Sequence, residues 1–557
     1  MVMAAGCAIH DRTTGGILWS GGWVLPQPET KRSERAHVRW LNGAVTVPHP
    51  DPALCALLRA DLAAAGYTAD AVREAWGPLA DEAIGHGVLT PALTALTGRS
   101  DPLAVLARLL FLGVREPRAH VDASLVRAGA RGLVDLGLAE IDADEVVPTA
   151  LLRPQDFDDD ESGAGQWWIA SDLDEAALAA RGGGVLPTDH VLGVGGASLT
   201  LASLQLSSPV ERVLDIGVGC GIQSLRARQT AERVVATDVS ERALRFTQLT
   251  ALLNDVDGIE TRLGSLFDPV AGETFDRVVS NPPFVITPRI EGVPEYEYRD
   301  AGYAGDDLVA AFVAGVGGVL AAGGVAQLLG NWEYRDGRDG LARVRDWVEG
   351  SAVPLDAWVI EREVLGPLAY AELWVRDGGT APGTPDYARL VSAWLDDFAA
   401  RGVTAVGFGY VLLRRPVAGA EPTLARYERV TGPVSGALGP HLGDALAAAT
   451  RADALDDAQL AQCHLVVAGD VTEARHHVPG AESPQVIELR QGGALGRTLD
   501  VDPALAALVG ACDGDLPVGA LIRAIAELLE VDPDALAADL VPRVRELLFT
   551  GFLRFTP

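Results

Sequence analysis

Two rhythms of apolar residues alternate along the middle of the chain. From Arg212 onward short β-branched runs, RVLDI, RVVATD, IETRLG, DRVVSN and VAQLLGNW, are separated by segments with apolar residues every three or four positions, such as ERALRFTQLTALLN and DDLVAAFVAGVGGVLAAGG. Short, fully apolar strands between helices predict a parallel sheet covered on both faces, an α/β doubly wound domain. DAWVIERE, YAELWVRD and VGFGYVLLRR read as further strands, with DYARLVSAWLDDFAARG as a helix between the last two, and the domain closes near residue 418.

The pattern differs on either side of this block. ALCALLRADLAAAG, AGYTADAVREAWG and DPLAVLARLLFLG carry helical spacing with glycine near their ends, and SLVRAGARGLVDLGLAEIDADEVVPTALLRP reads as a helix, a short strand, a turn and a second strand. Helices that end in a small hairpin predict a winged-helix-like unit. The acid and glycine of QDFDDDESGAGQ, 155–166, mark a surface linker. Residues 419–557 end in a mostly helical array with a terminal strand, again winged-helix-like, while residues 1–50 hold no sustained period and predict a poorly ordered extension. The expected organisation is therefore 1–50 extension, 51–160 helical domain, 161–418 α/β domain and 419–557 helical domain.

Composition narrows the class. At 557 residues, 48% hydrophobic and 22% charged, the chain is long enough for about three folded units. No run approaches the 18 or so apolar residues of a membrane helix, so no membrane partner is expected. The N-terminus has neither a basic leader nor an apolar core, which predicts a cytoplasmic protein. The five scattered cysteines suit reduced thiols. Cys463-His464 and His476-His477 lack a second cysteine pair, so no metal site is predicted. The net charge of -31 requires any nucleic-acid footprint to be local. Lys31 is the single lysine among 45 basic residues, a composition typical of a GC-rich bacterial genome.

Two stretches carry chemistry. In VLDIGVGCGIQSL, 213–225, a strand runs into Gly217, Gly219 and Gly221 before a helix, a turn that brings backbone close to a ligand at the carboxyl end of a sheet. Asp215 precedes the loop, and Asp238 ends the next strand, placed to accept hydrogen bonds from a ribose diol. Cys220 reads as a small residue near that ligand. SNPPFV, 280–285, ends the fourth strand. Pro282 and Pro283 remove backbone donors and fix φ, so the turn is stiff and aims the Asn281 amide and the Pro282 carbonyl at one point, where a planar NH2 group has two acceptors. Phe284 offers a face for a flat substrate.

The glycine loop VLDIGVGCG and the TDVS that follows it resemble the first two motifs of class I S-adenosylmethionine-dependent methyltransferases. The resemblance covers about 190–335 and implies a Rossmann-like methyltransferase sheet with S-adenosyl-L-methionine as cofactor, held by Asp215, Gly217, Gly219, Gly221 and Asp238. Ser265 and Leu266 of GSLFDP fall at the adenine position, with Ser265 where many relatives have an acid. SNPPF resembles the branch that includes release-factor glutamine methyltransferases and enzymes methylating base amines of ribosomal and transfer RNA. It implies an N-methyltransferase with Asn281, Pro282, Pro283 and Phe284 as catalytic residues and RNA or protein as the macromolecular substrate. The two winged-helix-like flanks favour a nucleobase amine in RNA, with a protein glutamine amide as the alternative. A non-catalytic sensor of the cofactor is the reading from another class, but it has no use for an amine socket. HVLGVGGASLTLASL, 190–204, is either a carboxylate-binding turn or a plain helix cap. Asn331 is placed at the substrate wall, and Trp332 reads as packing.

Overall fold

The computed structural model describes residues 47–157, 163–181, 186–289 and 302–556. They fall into two compact units, one holding the residues up to Asp156 together with the segment that begins at Asp172, the other holding 157–171 and everything after Val185. Of the expected N-terminal extension, 1–46 lie outside the described residues, and His49 N–H donates to Leu136 O at 3.0 Å.

The first unit is helical because its punctuation is. Asp51, Thr68 and Asp101 cap helices Pro52–Ala64, Ala69–Trp76 and Pro102–Leu106, two of which have proline in the first turn. Helices Arg118–Ser124 and Gly129–Asp135 then lead into a hairpin, Ala139–Asp142 with Glu145–Pro148, which a short strand at Glu116–Pro117 widens to three strands. Buried Asp61 accepts from the amides of Arg127 and Ala128 and thereby fixes the turn between those helices. The segment read as a linker is partly strand: Ala150–Phe157 and Gly165–Asp172 flank it, and 158–162 lie outside the described residues.

The second unit is built on an eight-stranded sheet: β1 Val210–Ile216, β2 Ala231–Asp238, β3 Ile259–Leu263, β4 Phe275–Ser280, β5 Leu320–Arg335, β6 Asp356–Leu365, β7 Val403–Arg414 and β8 Ala425–Arg429. In space they run β3-β2-β1-β4-β5-β7-β6-β8, and only β7 is reversed. Alternation along the strands explains the two covers. Leu214, Val278 and Leu328 face Phe312 and Val316 of α4 (Asp307–Val316) and Val344 of α5 (Gly340–Glu349). Val213 and Val279 turn the other way, toward Ala227 of α2 (Ile222–Arg228). The sheet is therefore Rossmann-like and doubly wound, as its sequence pattern predicts. α1 (Gly196–Leu204) precedes β1, and α3 (Glu241–Leu253) links β2 to β3.

Three readings are corrected by the structure. YAELWVRD is not a strand but most of helix α6, Pro367–Asp377, which Gly366 and Pro367 start and whose buried side carries Tyr370, Ala371 and Val375. α7, Pro385–Ala400, follows it. The sheet runs past residue 418, since β8 pairs with β6. The C-terminal portion also holds more strand than expected: His464–Val467 joins Asp513–Pro517 and Leu553–Phe555, and Val471–His476, Val486–Gln491 and Thr498–Val501 form a second small sheet.

That portion packs onto β6 and β8. The Trp358 ring lies 4.6 Å from Phe549 between centroids, and its Nε1–H donates to Glu428 at 2.7 Å. Burial pushes the Glu428 carboxyl up, but Arg497 at 2.6 Å and Arg426 at 2.8 Å outweigh it and hold it at about 2. Among the described residues no helix is long and apolar enough to cross a membrane.

Candidate active site

The strand order reverses between β1 and β4, and the crevice at their carboxyl ends is where open α/β sheets bind ligands. Register makes the coincidence specific. Ile216 pairs with Ser280, and Ser280 Oγ donates to Ile216 O at 2.8 Å. The next residues, Gly217 and Asn281, thus leave adjacent strands at one level.

Gly217 and Gly219 have φ of +74° and +55°, and a Cβ on either would meet nothing within 4 Å, so the loop presents open space above bare backbone. Its shape is held from β2: the amides of Gly217 and Val218 donate to Thr237 O, and Gly219 N–H donates to Asp238 Oδ2 at 3.1 Å. The other Asp238 oxygen accepts from Ser240 N–H at 2.9 Å. Burial raises the Asp238 carboxyl above its ordinary range, against those amide bonds. Asp215 is fully enclosed; its Oδ2 accepts from Ser224 Oγ at 2.6 Å, and Oδ1 has no hydrogen-bond partner among the described residues. Burial and, less so, the Asp238 charge push its carboxyl up to about 7, against the Ser224 bond. Burial also pushes the Cys220 thiol to about 11, so it stays protonated in the loop.

Two more walls adjoin this loop. Gly264 N–H donates to Asp238 O at 2.9 Å, which sets Ser265, exposed, and Leu266, at φ +45°, beside the end of β2. On the far side the segment read as either a carboxylate-binding turn or a helix cap begins α1, and three glutamines that sequence reasoning passed over anchor it. Gln223 Nε2 donates to Ser198 O at 2.7 Å, Gln205 Nε2 to Gln223 Oε1 at 2.8 Å, and Gln327 Oε1 accepts from Leu206 N–H at 3.0 Å. Their signal is faint: glutamine inside an apolar run, as in VAQLL.

The Asn281-Pro282-Pro283-Phe284 turn continues β4. Asn281 Oδ1 is buried and has no hydrogen-bond partner among the described residues. Pro282 is buried, and the Phe284 ring is half-buried against the sheet core. Asn331 lies fully buried on β5, and Trp332, equally buried, donates Nε1–H to Glu361 at 2.7 Å and packs. Tyr370 was missed, having been assigned to a strand; its hydroxyl accepts from Ile286 N–H and from Asn331 Nδ2, each at 2.9 Å. The structure thus brings the glycine loop, Asp238 and Asn281 to one crevice and encloses Asp215 beneath it.

Residues 193–291 match the Methyltransferase small domain, and 64–149 and 447–555 match two domains of unknown function, DUF7059 and DUF7782. The chain resembles the class I methyltransferases. It is 31% identical over 148 residues, 26% of this chain and 49% of the relative, to the release factor glutamine methyltransferase of Xylella fastidiosa strain Temecula1. It is 34% identical over 128 residues, 21% of this chain and 43% of the relative, to the ribosomal protein uL3 glutamine methyltransferase of Bordetella pertussis. Among solved structures, the YcgJ protein of Bacillus subtilis aligns with a TM-score of 0.26 at 14% identity, covering 40% of this chain and 97% of that one. The chain spans about half the length of the curated relatives or less.

Proposed function

We propose that the chain is an S-adenosylmethionine-dependent N-methyltransferase acting on the side-chain amide of a protein glutamine. The observation that carries this reading is the register of β1 and β4, which sets Asn281, whose Oδ1 has no hydrogen-bond partner among the described residues, level with the glycine loop. The residues present fit the cofactor: bare glycine backbone under open space, and a carboxylate at the end of β2 suited to a ribose diol. Gly217, Gly219, Gly221, Asp238, Ser265 and Leu266 are the residues assigned to hold it, with Asp215 bracing the loop through Ser224. When bound, the cofactor supplies a methyl group already activated on a sulfonium.

The chain's own residues then have to position a nitrogen. Asn281 Oδ1 and the Pro282 carbonyl accept the two N–H groups of the substrate amide, and the proline pair keeps both acceptors fixed. As positive charge develops on that nitrogen, a hydrogen bond to the Asn281 oxygen strengthens, so it acts on the rate rather than on ground-state binding. Phe284 supplies the face against which the flat amide lies.

The protein amide is favoured over the RNA base amine expected from the flanks. Both curated relatives described above are protein glutamine methyltransferases by name, and a net charge of -31 repels a phosphate backbone. The test is transfer of labelled methyl from S-adenosylmethionine to protein and RNA fractions, followed by protease or nuclease. Label released by protease and found on glutamine supports the reading; label released by nuclease overturns the substrate.

A further inference from the structure

The geometry points to Tyr370 as a positioning residue for the Asn281–Phe284 turn, an inference that rests on the function proposed above. The turn leaves β4 and runs on through Val285 and Ile286. Stiff prolines set its internal shape but not where the whole turn sits over the sheet. That placement needs an anchor past Phe284, and the described residues give one. Tyr370, on α6 and fully buried, takes the Ile286 amide at 2.9 Å and the Asn331 side chain of β5 at 2.9 Å on one hydroxyl oxygen. The exit of the turn is thereby tied to the strand next to the one it leaves.

The anchor itself has little freedom. Its ring stacks on Phe408 of β7 at 5.5 Å between centroids, with Trp394 and Phe398 of α7 each at 5.7 Å. The hydroxyl accepts twice, which uses both lone pairs, and Asn331 Oδ1 is buried with no hydrogen-bond partner among the described residues. Rotating the Asn331 amide by half a turn hands the Tyr370 proton to Oδ1 and leaves the tie between the strands intact. In either arrangement a single buried oxygen connects the turn to β5. Loss of that oxygen leaves the Ile286 N–H without its acceptor inside an apolar cluster, and the turn moves to find another.

The test uses the full chain and Tyr370→Phe, which keeps the ring in its aromatic cluster. Hydrogen exchange is followed at the amides of Asn281, Phe284, Val285 and Ile286, and binding is measured with S-adenosylhomocysteine. Exchange is expected to rise about tenfold or more across this turn, on the scale of one lost hydrogen bond, with S-adenosylhomocysteine affinity unchanged. Turnover on a glutamine peptide is expected to fall about tenfold or more in kcat with KM nearly constant. Exchange that rises at Ile286 alone, or not at all, overturns the positioning role, as does faster exchange with an unchanged kcat. A parallel loss of cofactor affinity makes Tyr370 merely structural and also overturns it. Should the wild-type protein fail to methylate glutamine, the exchange result still decides the anchor, and the failure belongs to the functional proposal.

Discussion

Replacing Asp215 by asparagine tests the electrostatics beneath the glycine loop. The Asp215 carboxyl has no exposed surface, is hydrogen-bonded only by Ser224 among the described residues and has an oxygen with no hydrogen-bond partner among them, so its charged form is disfavoured. Burial moves it from 3.8 to about 7, a displacement worth roughly 4 kcal/mol at about 1.4 kcal/mol per pH unit. An acid whose folded pKa is raised contributes full stability below its unfolded value, and that contribution is lost as pH rises through the folded value. The loss therefore runs from about pH 4 to about pH 7 and then levels off. The protein's other acids also titrate in this range, so the informative quantity is the difference between wild type and Asp215→Asn in urea unfolding at pH 4.5 and pH 8. That difference should shift by roughly 3 kcal/mol in favour of the variant at the higher pH. A difference that is the same at both pH values means that Asp215 ionises normally and refutes the reasoning.

Two further outcomes follow from the same geometry. Asp238→Ala removes the acceptor of the Gly219 and Ser240 amides and the assigned ribose contact, so calorimetry should show S-adenosylmethionine binding weakened by about 2 to 3 kcal/mol; affinity within threefold of wild type removes Asp238 from the site. Ending the chain at 418 deletes β8 and strips Phe549 and the Glu428 carboxylate from Trp358. Such a chain should be insoluble or lose its cooperative melt, and a well-folded monomer by circular dichroism would contradict the packing described.

Much of the site was legible because its signals are local. The glycines at positive φ, the acid closing β2 and the paired prolines each declare themselves within a few residues, and the strands that carry them are apolar enough to mark a sheet covered on both faces. What was missed is either non-local or ambiguous in period. Tyr370 sits in YAELWVRD, whose apolar residues at 370, 371, 373, 374 and 375 hold both an alternating set and a helical one, and only the Gly366-Pro367 start distinguishes them. Gln205, Gln223 and Gln327 are polar residues in apolar runs whose partners lie 18 to 123 positions away, so their role emerges only in the fold. The C-terminal strands are short and half-exposed; Val486–Gln491 does alternate, but so briefly that the flanking helical stretches dominate the reading.

The central claim is that Asn281 positions a protein amide nitrogen for methyl transfer, and single-turnover methylation of a glutamine-containing protein at saturating S-adenosylmethionine tests it directly. Asn281→Ala is predicted to bind the cofactor with wild-type affinity and to transfer methyl roughly 100 to 1000 times more slowly, the loss typical of one preorganised hydrogen-bonding group. A transfer rate within a few fold of wild type would contradict the account and reduce SNPPF to a stiff turn.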